Sequence, residues 1–360
     1  MRRPCPLVFL VSVLSIFTAC ASNPANRPLQ EFPEEAAEEE EIAEEFPEEE
    51  EPFLVLPPPA DLPVSSFGEI WAYLLDGREH TLRSAYPLSD VGYFGAEVNV
   101  YGQLVGVPNR KNIPSGFSGR VHLVVCCNGT ALTHFVLEPG SAVRKKFIAD
   151  LLEAVQPFDG LQIDFESVPA RDGAAFRSFL AELREGLGGR KMFTIALRAR
   201  TRSLADDVYD YRLIAPLVDR ILIMAYDEHW STSAPGPIAS MNWCRSVARY
   251  GLSVIPPEKL ILGVPFYGRT WGSESTFRAF FHSGIERIKR ENQITTVRRE
   301  MGIPTFTYEI PVTVTVYYED EYSLSRRIEM YRTMGVKSIG FWCLGQETPL
   351  IWSLLSLSSR

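Results

Sequence analysis

From Glu69 onward the chain alternates short apolar runs with amphipathic stretches, and this alternation restricts the fold more than any other feature. Repeated strand-then-helix units require a parallel sheet, because the crossover between parallel strands needs a helix-length connection. Eight runs read as strands: Ile70–Leu75, Val91–Val98, Val121–Cys126, Gly160–Glu166, Met192–Leu197, Arg220–Ala225, Leu260–Pro265 and Ser338–Cys343. That number predicts an α/β protein of the closed (β/α)8 type, a TIM barrel. Helical periodicity fills the gaps at Ser141–Val155, Asp172–Gly186 (with Gly186 as its terminator) and Ser323–Gly335. The connection after the seventh strand is long, from Trp271 to Tyr318, with a basic amphipathic helix over Gly284–Asn292 and a β-rich run over Thr305–Tyr318. It is expected to form a small α+β insertion at about 272–318 on the rim of the barrel.

Chemistry in such barrels sits at the C-terminal ends of the strands. The fourth run reads Asp159-Gly160-Leu161-Gln162-Ile163-Asp164-Phe165-Glu166. Side chains alternate along a strand, so Gln162, Asp164 and Glu166 are expected on one inward face, with neighbours about 7 Å apart. Carboxyls stacked inside a barrel are costly unless paired or employed. Like charge at that distance raises one carboxyl's pKa and keeps it protonated near neutrality, as a general acid requires. Asp159 precedes the strand and is expected to fix a turn.

This segment resembles the DxxDxDxE signature of the family 18 glycoside hydrolases, the chitinase-like enzymes, and the resemblance extends over most of residues 66–355. Met224-Ala225-Tyr226-Asp227 resembles the family's sixth-strand motif. Gly263-Val264-Pro265-Phe266-Tyr267-Gly268-Arg269 resembles its seventh, and Gly340-Phe341-Trp342 its eighth. Tyr226-Asp227-Glu228-His229 and Ile255-Pro256-Pro257-Glu258-Lys259 are similar to the bacterial spore-cortex and peptidoglycan-associated subgroup. The resemblance implies hydrolysis of β-linked N-acetylhexosamine polymers, peptidoglycan or chitin-like, by a retaining, substrate-assisted mechanism without cofactor or metal. It assigns Glu166 as acid and base, Asp164 as the group orienting the substrate acetamide, and Tyr226 as a donor to the acetamide carbonyl. It further implies substrate contacts from Asp227, Met224, Tyr267, Arg269 and Gln162, with Trp342 as the floor beneath the reacting sugar. The departure is Gln162, where the family has a second Asp. Its amide is expected to donate to Asp164 and hold it in place.

Arg198 and Arg200 close the fifth strand, either as solvated charges or as contacts to an anionic or peptide-bearing glycan. The Tyr, Trp and Phe residues around 266–281 read equally as sugar platforms or as insertion core. Two other functions remain open on sequence: a catalytically inactive, lectin-like glycan-binding lipoprotein, and a barrel that mainly contacts proteins.

The N-terminus reads as an export signal over residues 1–20, with Arg2 and Arg3 followed by an uncharged apolar stretch from Leu7 to Ala19. Phe17-Thr18-Ala19-Cys20 resembles a bacterial lipobox with Phe where Leu is usual, making Cys20 the expected lipid anchor. The alternative is an ordinary secretory signal cut near Ala19 or Ala21. Residues 31–51 hold 13 Glu and no base. With its prolines, the 21–63 segment is expected to be an extended tether ahead of a catalytic barrel over 64–360. The acids of that segment outweigh the whole chain's formal charge of -9. The rest is nearly neutral and carries no basic stripe, which argues against nucleic acid as a partner. A monomer in the bacterial cell envelope is expected. Cys126, Cys127, Cys244 and Cys343 read as core thiols, with no metal-ligand spacing.

Overall fold

Eight parallel strands close on themselves in the computed structural model, which describes residues 60–272, 278–310 and 312–358. The export segment, Cys20 and the tether up to residue 59 lie outside the described residues. The strands are β1 (Glu69–Leu75), β2 (Asp90–Val98), β3 (Arg120–Cys126), β4 (Gly160–Asp164), β5 (Met192–Arg198), β6 (Arg220–Met224), β7 (Leu260–Pro265) and β8 (Ser338–Trp342). They pair in chain order, and β8 returns to β1 with Ser338 opposite Glu69 and Phe341 opposite Ala72. The outward positions of β4, Leu161 and Ile163, are fully buried beneath the helices, and Phe165 just beyond stacks with Phe147, Phe176 and Phe179.

The helices that cover the barrel include α1 (Thr130–Leu137), α2 (Ala142–Ala154), α3 (Gly173–Leu187) and α4 (Met241–Val254). Ser141 caps α2 by accepting from the Arg144 N–H at 3.0 Å. The expected terminator of α3 is corrected. The helix runs past Gly186 to Leu187 and stops at Gly188, whose φ of 59° places it in the left-handed region that glycine adopts without strain. Gly186 serves packing instead, since a Cβ there would lie 2.5 Å from the Leu152 side chain on α2.

The insertion starts earlier than expected. Its five-stranded antiparallel sheet already includes Gly268–Gly272, flanked by Arg278–Phe280 and Val312–Tyr317, with Ile303–Ile310 and Arg298–Glu300 beyond. Helix α5 (His282–Glu291) lays Ile285 and Ile288 on Phe306, Val316 and Tyr318, forming a small separate core. The chain then re-enters the barrel through α6 (Glu321–Thr333), whose Asp320 and Ser323 form a reciprocal capping box.

Both ends of the barrel interior are polar, but they differ. At the N-terminal end Glu69 accepts from Arg120 (2.9 Å), from Arg220 (2.9 and 3.0 Å) and from the Trp71 indole (3.2 Å). Asp90 accepts from Arg120 at 2.7 and 2.9 Å and lies 2.8 Å from His122. These contacts hold the Glu69 and Asp90 carboxyls below their ordinary pKa, against the upward push of burial. The plug closes the bottom of the barrel and is structural in character.

A second buried pair joins insertion, barrel and loop. Arg327 on α6 donates to both Glu319 oxygens at 2.9 Å and to the Ala239 carbonyl at 2.5 Å, with both side chains fully buried. Arg327→Met would strand the Glu319 carboxylate without its partner, at a cost of about 3–5 kcal/mol. Urea denaturation should show that loss as a lower midpoint with little change in slope.

Candidate active site

Strand β4 is shorter than its sequence suggests, which changes where the acid sits. The strand ends at Asp164, and Glu166 lies beyond it instead of sharing its last rung. Tyr209 fixes this exit: its hydroxyl donates to the Phe165 carbonyl at 2.8 Å and accepts from the Val168 N–H at 2.9 Å. One tyrosine thereby replaces the ladder partners that the departing backbone has lost. Glu166 emerges at the C-terminal mouth with its side chain 19% exposed.

Below it, Gln162 is fully buried and both ends of its amide are engaged. Its Oε1 accepts from the Tyr73 hydroxyl at 2.5 Å, and its Nε2 donates to Thr194 Oγ1 at 3.1 Å. The expected Gln162-to-Asp164 bond is therefore corrected, because the amide is committed sideways across β1 and β5. Gly92 makes this arrangement possible, since a Cβ there would come 2.9 Å from the Tyr73 ring. Gln162 belongs to the barrel interior and not to the lining of the cleft.

Asp164 is left in an unusual position. It is 8% exposed, and its buried Oδ1 has no hydrogen-bond partner among the described residues. Burial first, and then the Glu166 charge, push its pKa well above the ordinary carboxylate range, with Arg198 pulling the other way.

The cleft above is lined by Glu166, Arg198, Met224, Tyr226, Asp227 and Trp230, among others. Tyr226 is nearly buried, and Gly263 on β7 leaves room for it, since a Cβ there would stand 2.8 Å from its ring. Asp227 has φ 58°, a left-handed conformation costing about 1 kcal/mol for a residue with a Cβ. A clamp holds it there: Tyr267 donates at 2.6 Å and Arg269 at 2.9 and 3.0 Å, all to Oδ1. Trp342 closes β8, half-buried against Tyr73 (ring centroids 5.1 Å) and Phe94 (5.3 Å).

The structure thus gathers Glu166, Asp164, Tyr226, Asp227 and Met224 at one mouth, with Tyr267 and Arg269 behind Asp227. Asp159 ties the start of β4 to β3, its carboxylate accepting from the Val121 N–H at 2.8 Å. The aromatics around 266–281 resolve mainly toward core: Phe266 stacks on Phe341 at 4.5 Å, and Trp271 packs with Ile303 and Tyr317. The four cysteines are free, with Cys127, Cys244 and Cys343 buried as expected of core thiols and Cys126 partly exposed. Trp230 and Trp243, which the sequence reading passed over, also line the cleft. Their signal was position: Trp230 follows the sixth-strand motif by three residues, and Trp243 lies in the first turn of α4. Glu228 secures their loop by accepting from the Ser240 N–H at 2.7 Å and its hydroxyl at 3.0 Å.

Among the described residues, no group of three or more His, Cys, Asp or Glu is placed to hold a metal ion, and no helix is long and apolar enough to cross a membrane.

YdhD of Bacillus subtilis, named as a sporulation-specific glycosylase, is 33% identical over 254 residues, covering 66% of this chain and 57% of that protein. The cortical fragment-lytic enzyme of Bacillus anthracis is 26% identical over 244 residues, covering 62% of this chain and 55% of that protein. The chain therefore spans somewhat over half the length of these relatives. The crystal structure of the Bacillus cereus spore cortex-lytic enzyme SleL shares the fold, with TM-score 0.73 at 22% identity over 82% of this chain and 76% of that one. Residues 129–347, well over half of the chain and all of the strands from β4 to β8, match the family described as Glycosyl hydrolases family 18, and the protein belongs to that family.

Proposed function

We propose that the chain is a retaining glycosidase that cuts β-linked N-acetylhexosamine polymers, peptidoglycan foremost, by substrate-assisted catalysis. The observation that carries this reading is Asp164, a buried carboxyl without a hydrogen-bond partner on Oδ1, coupled to Glu166 at the mouth of the cleft. Burial and the neighbouring Glu166 charge both favour the protonated form of Asp164, so a proton is available to the pair. With that proton on Glu166, the acid is ready for the glycosidic oxygen. The C1–O bond breaks, its electron pair goes to the leaving oxygen, and that oxygen takes the Glu166 proton. The substrate's acetamide oxygen bonds to C1 and forms an oxazolinium ion. Asp164, now anionic, faces the cation, and the Tyr226 hydroxyl donates to the acetamide oxygen before it attacks. Glu166 then takes a proton from water as it opens the ring, with net retention. Asp227, kept in place by Tyr267 and Arg269, binds the reacting sugar, with Met224 beside it and Trp342 below.

Similarity to proteins named for lysis of the spore cortex supports peptidoglycan over chitin as the polymer. Cys20, if acylated, places the enzyme at the bacterial envelope.

Glu166→Gln in the full-length chain should lower kcat about 10²–10⁴-fold. Release of reducing ends from purified peptidoglycan and from chitin oligosaccharides measures it, with glycan binding retained. A wild-type chain that binds both polymers and cuts neither would overturn the proposal.

Asp164 also predicts a pH signature. Its folded pKa lies above the unfolded value of about 3.9. The native state is therefore favoured below that value, and the advantage is lost as pH rises through the folded pKa. Asp164→Asn removes the titration, so its Tm relative to wild type should climb from about pH 4 toward neutrality while activity falls. A difference that stays flat with pH would show that no raised carboxyl resides there.

A further inference from the structure

Three arginines stand at the cleft, and their donors are used differently. Arg269 directs Nε and Nη2 to Asp227. Arg200 grips the two Asp207 oxygens at 2.7 and 3.1 Å and gives another N–H to the Ala199 carbonyl at 3.1 Å. It is structural, not a solvated surface charge.

Arg198 is the exception. It is the last residue of β5, and its carbonyl is fixed by the Tyr211 hydroxyl at 2.6 Å. Its side chain is only 25% exposed, yet its one ion pair among the described residues is to Glu166, Nε to Oε2 at 3.7 Å. That exceeds hydrogen-bond length, and the guanidinium makes no hydrogen bond to any described residue. Its N–H donors thus face the cleft with no acceptor from a described residue at hydrogen-bond distance. The fork geometry of a guanidinium matches a carboxylate in two parallel bonds. The location adds a second argument. A permanent cation beside two carboxyls opposes the proton they must share, and Arg198 does pull Asp164 downward. An anion on Arg198 offsets that pull at the moment the glycan is bound.

Resting on the glycosidase reading above, we propose that Arg198 is a specificity-determining residue that pairs with a carboxylate carried by the glycan. The carboxylate belongs to a lactyl ether on the sugar or to an acidic peptide attached to it. The cleft then selects acidic N-acetylhexosamine polymers over neutral ones.

A chemical double-mutant cycle tests this with the full-length chain. Wild type and Arg198→Gln act on peptide-free glycan strands with free lactyl carboxylates, and on the same strands after conversion to carboxamides. Peptide-bearing strands, native and amidated, form the second arm. Amidation should lower wild-type kcat/KM about tenfold or more in at least one arm, and that arm names the source. Arg198→Gln should already be at the lower level and lose little further on amidation. Added salt should shrink the wild-type preference. A purely positioning role for Arg198 changes all substrates alike and leaves no coupling. If amidation has no effect in either arm, or lowers both proteins by the same factor, the assignment is wrong. The same cycle read as binding affinity in a Glu166→Gln background decides the matter even without turnover. Absence of cutting by wild type would then fall on the glycosidase proposal alone.

Discussion

The catalytic end of the barrel depends on the hydrogen-bond chain from Tyr73 through Gln162 to Thr194. It is the last layer of the interior in which every polar group is matched. The Gln162 amide oxygen is taken by Tyr73 from β1, across the barrel, and its nitrogen by Thr194 on the adjacent strand β5. Asp164, one inward position higher, receives nothing from it. An acid at 162 would offer Asp164 a titrating partner below. The amide offers none, which leaves the Glu166 charge as the carboxyl that raises the Asp164 pKa.

The contrast between the two ends of the barrel supports the same assignment. At the base, Glu69 and Asp90 are saturated by Arg120, Arg220 and His122, and their pKa values are held low. At the mouth, Asp164 has a buried oxygen without a partner among the described residues and a raised pKa, and Arg198 faces the cleft with only a 3.7 Å ion pair to Glu166. An unpaired buried polar group costs about 1–3 kcal/mol. The barrel pairs its buried carboxylates at the base and leaves one without a partner at the mouth. Such uncompensated groups gather where a ligand completes them.

The strand series, the helix beginning at Ser141 and the inward alternation of β4 were legible because they follow from local rules of period and side-chain direction. Glu166 leaving the strand was not, because it depends on Tyr209, more than forty residues away in sequence. The partners of Gln162 were misjudged for a related reason. Sequence neighbours on one strand face seem natural partners, but in a closed barrel polar atoms from an adjacent strand and from across the interior lie nearer. The insertion sheet began early because Gly268–Gly272 continues directly from the seventh-strand motif, with no turn signal to separate them. Gly186 misled because a glycine near a helix end suits both a terminator and a close helix contact, and only the Leu152 side chain distinguishes them.

The early start of the insertion has a chemical consequence. Its first strand, through Arg269, supplies two of the three hydrogen bonds that hold Asp227 at a positive φ. Trp271 on the same strand donates to the Trp230 carbonyl at 3.2 Å, and beyond the insertion Arg327 reaches Ala239. The loop between Glu228 and Ser240, which brings Trp230 to the cleft, is thus tied at both ends to the insertion or to its return into the barrel. Left-handed backbone at a residue with a Cβ persists only where its surroundings over-determine it. Here those surroundings are the insertion sheet itself. The insertion therefore helps shape the cleft, and its small apolar core of Ile285, Phe306 and Val316 backs the sheet that holds Asp227.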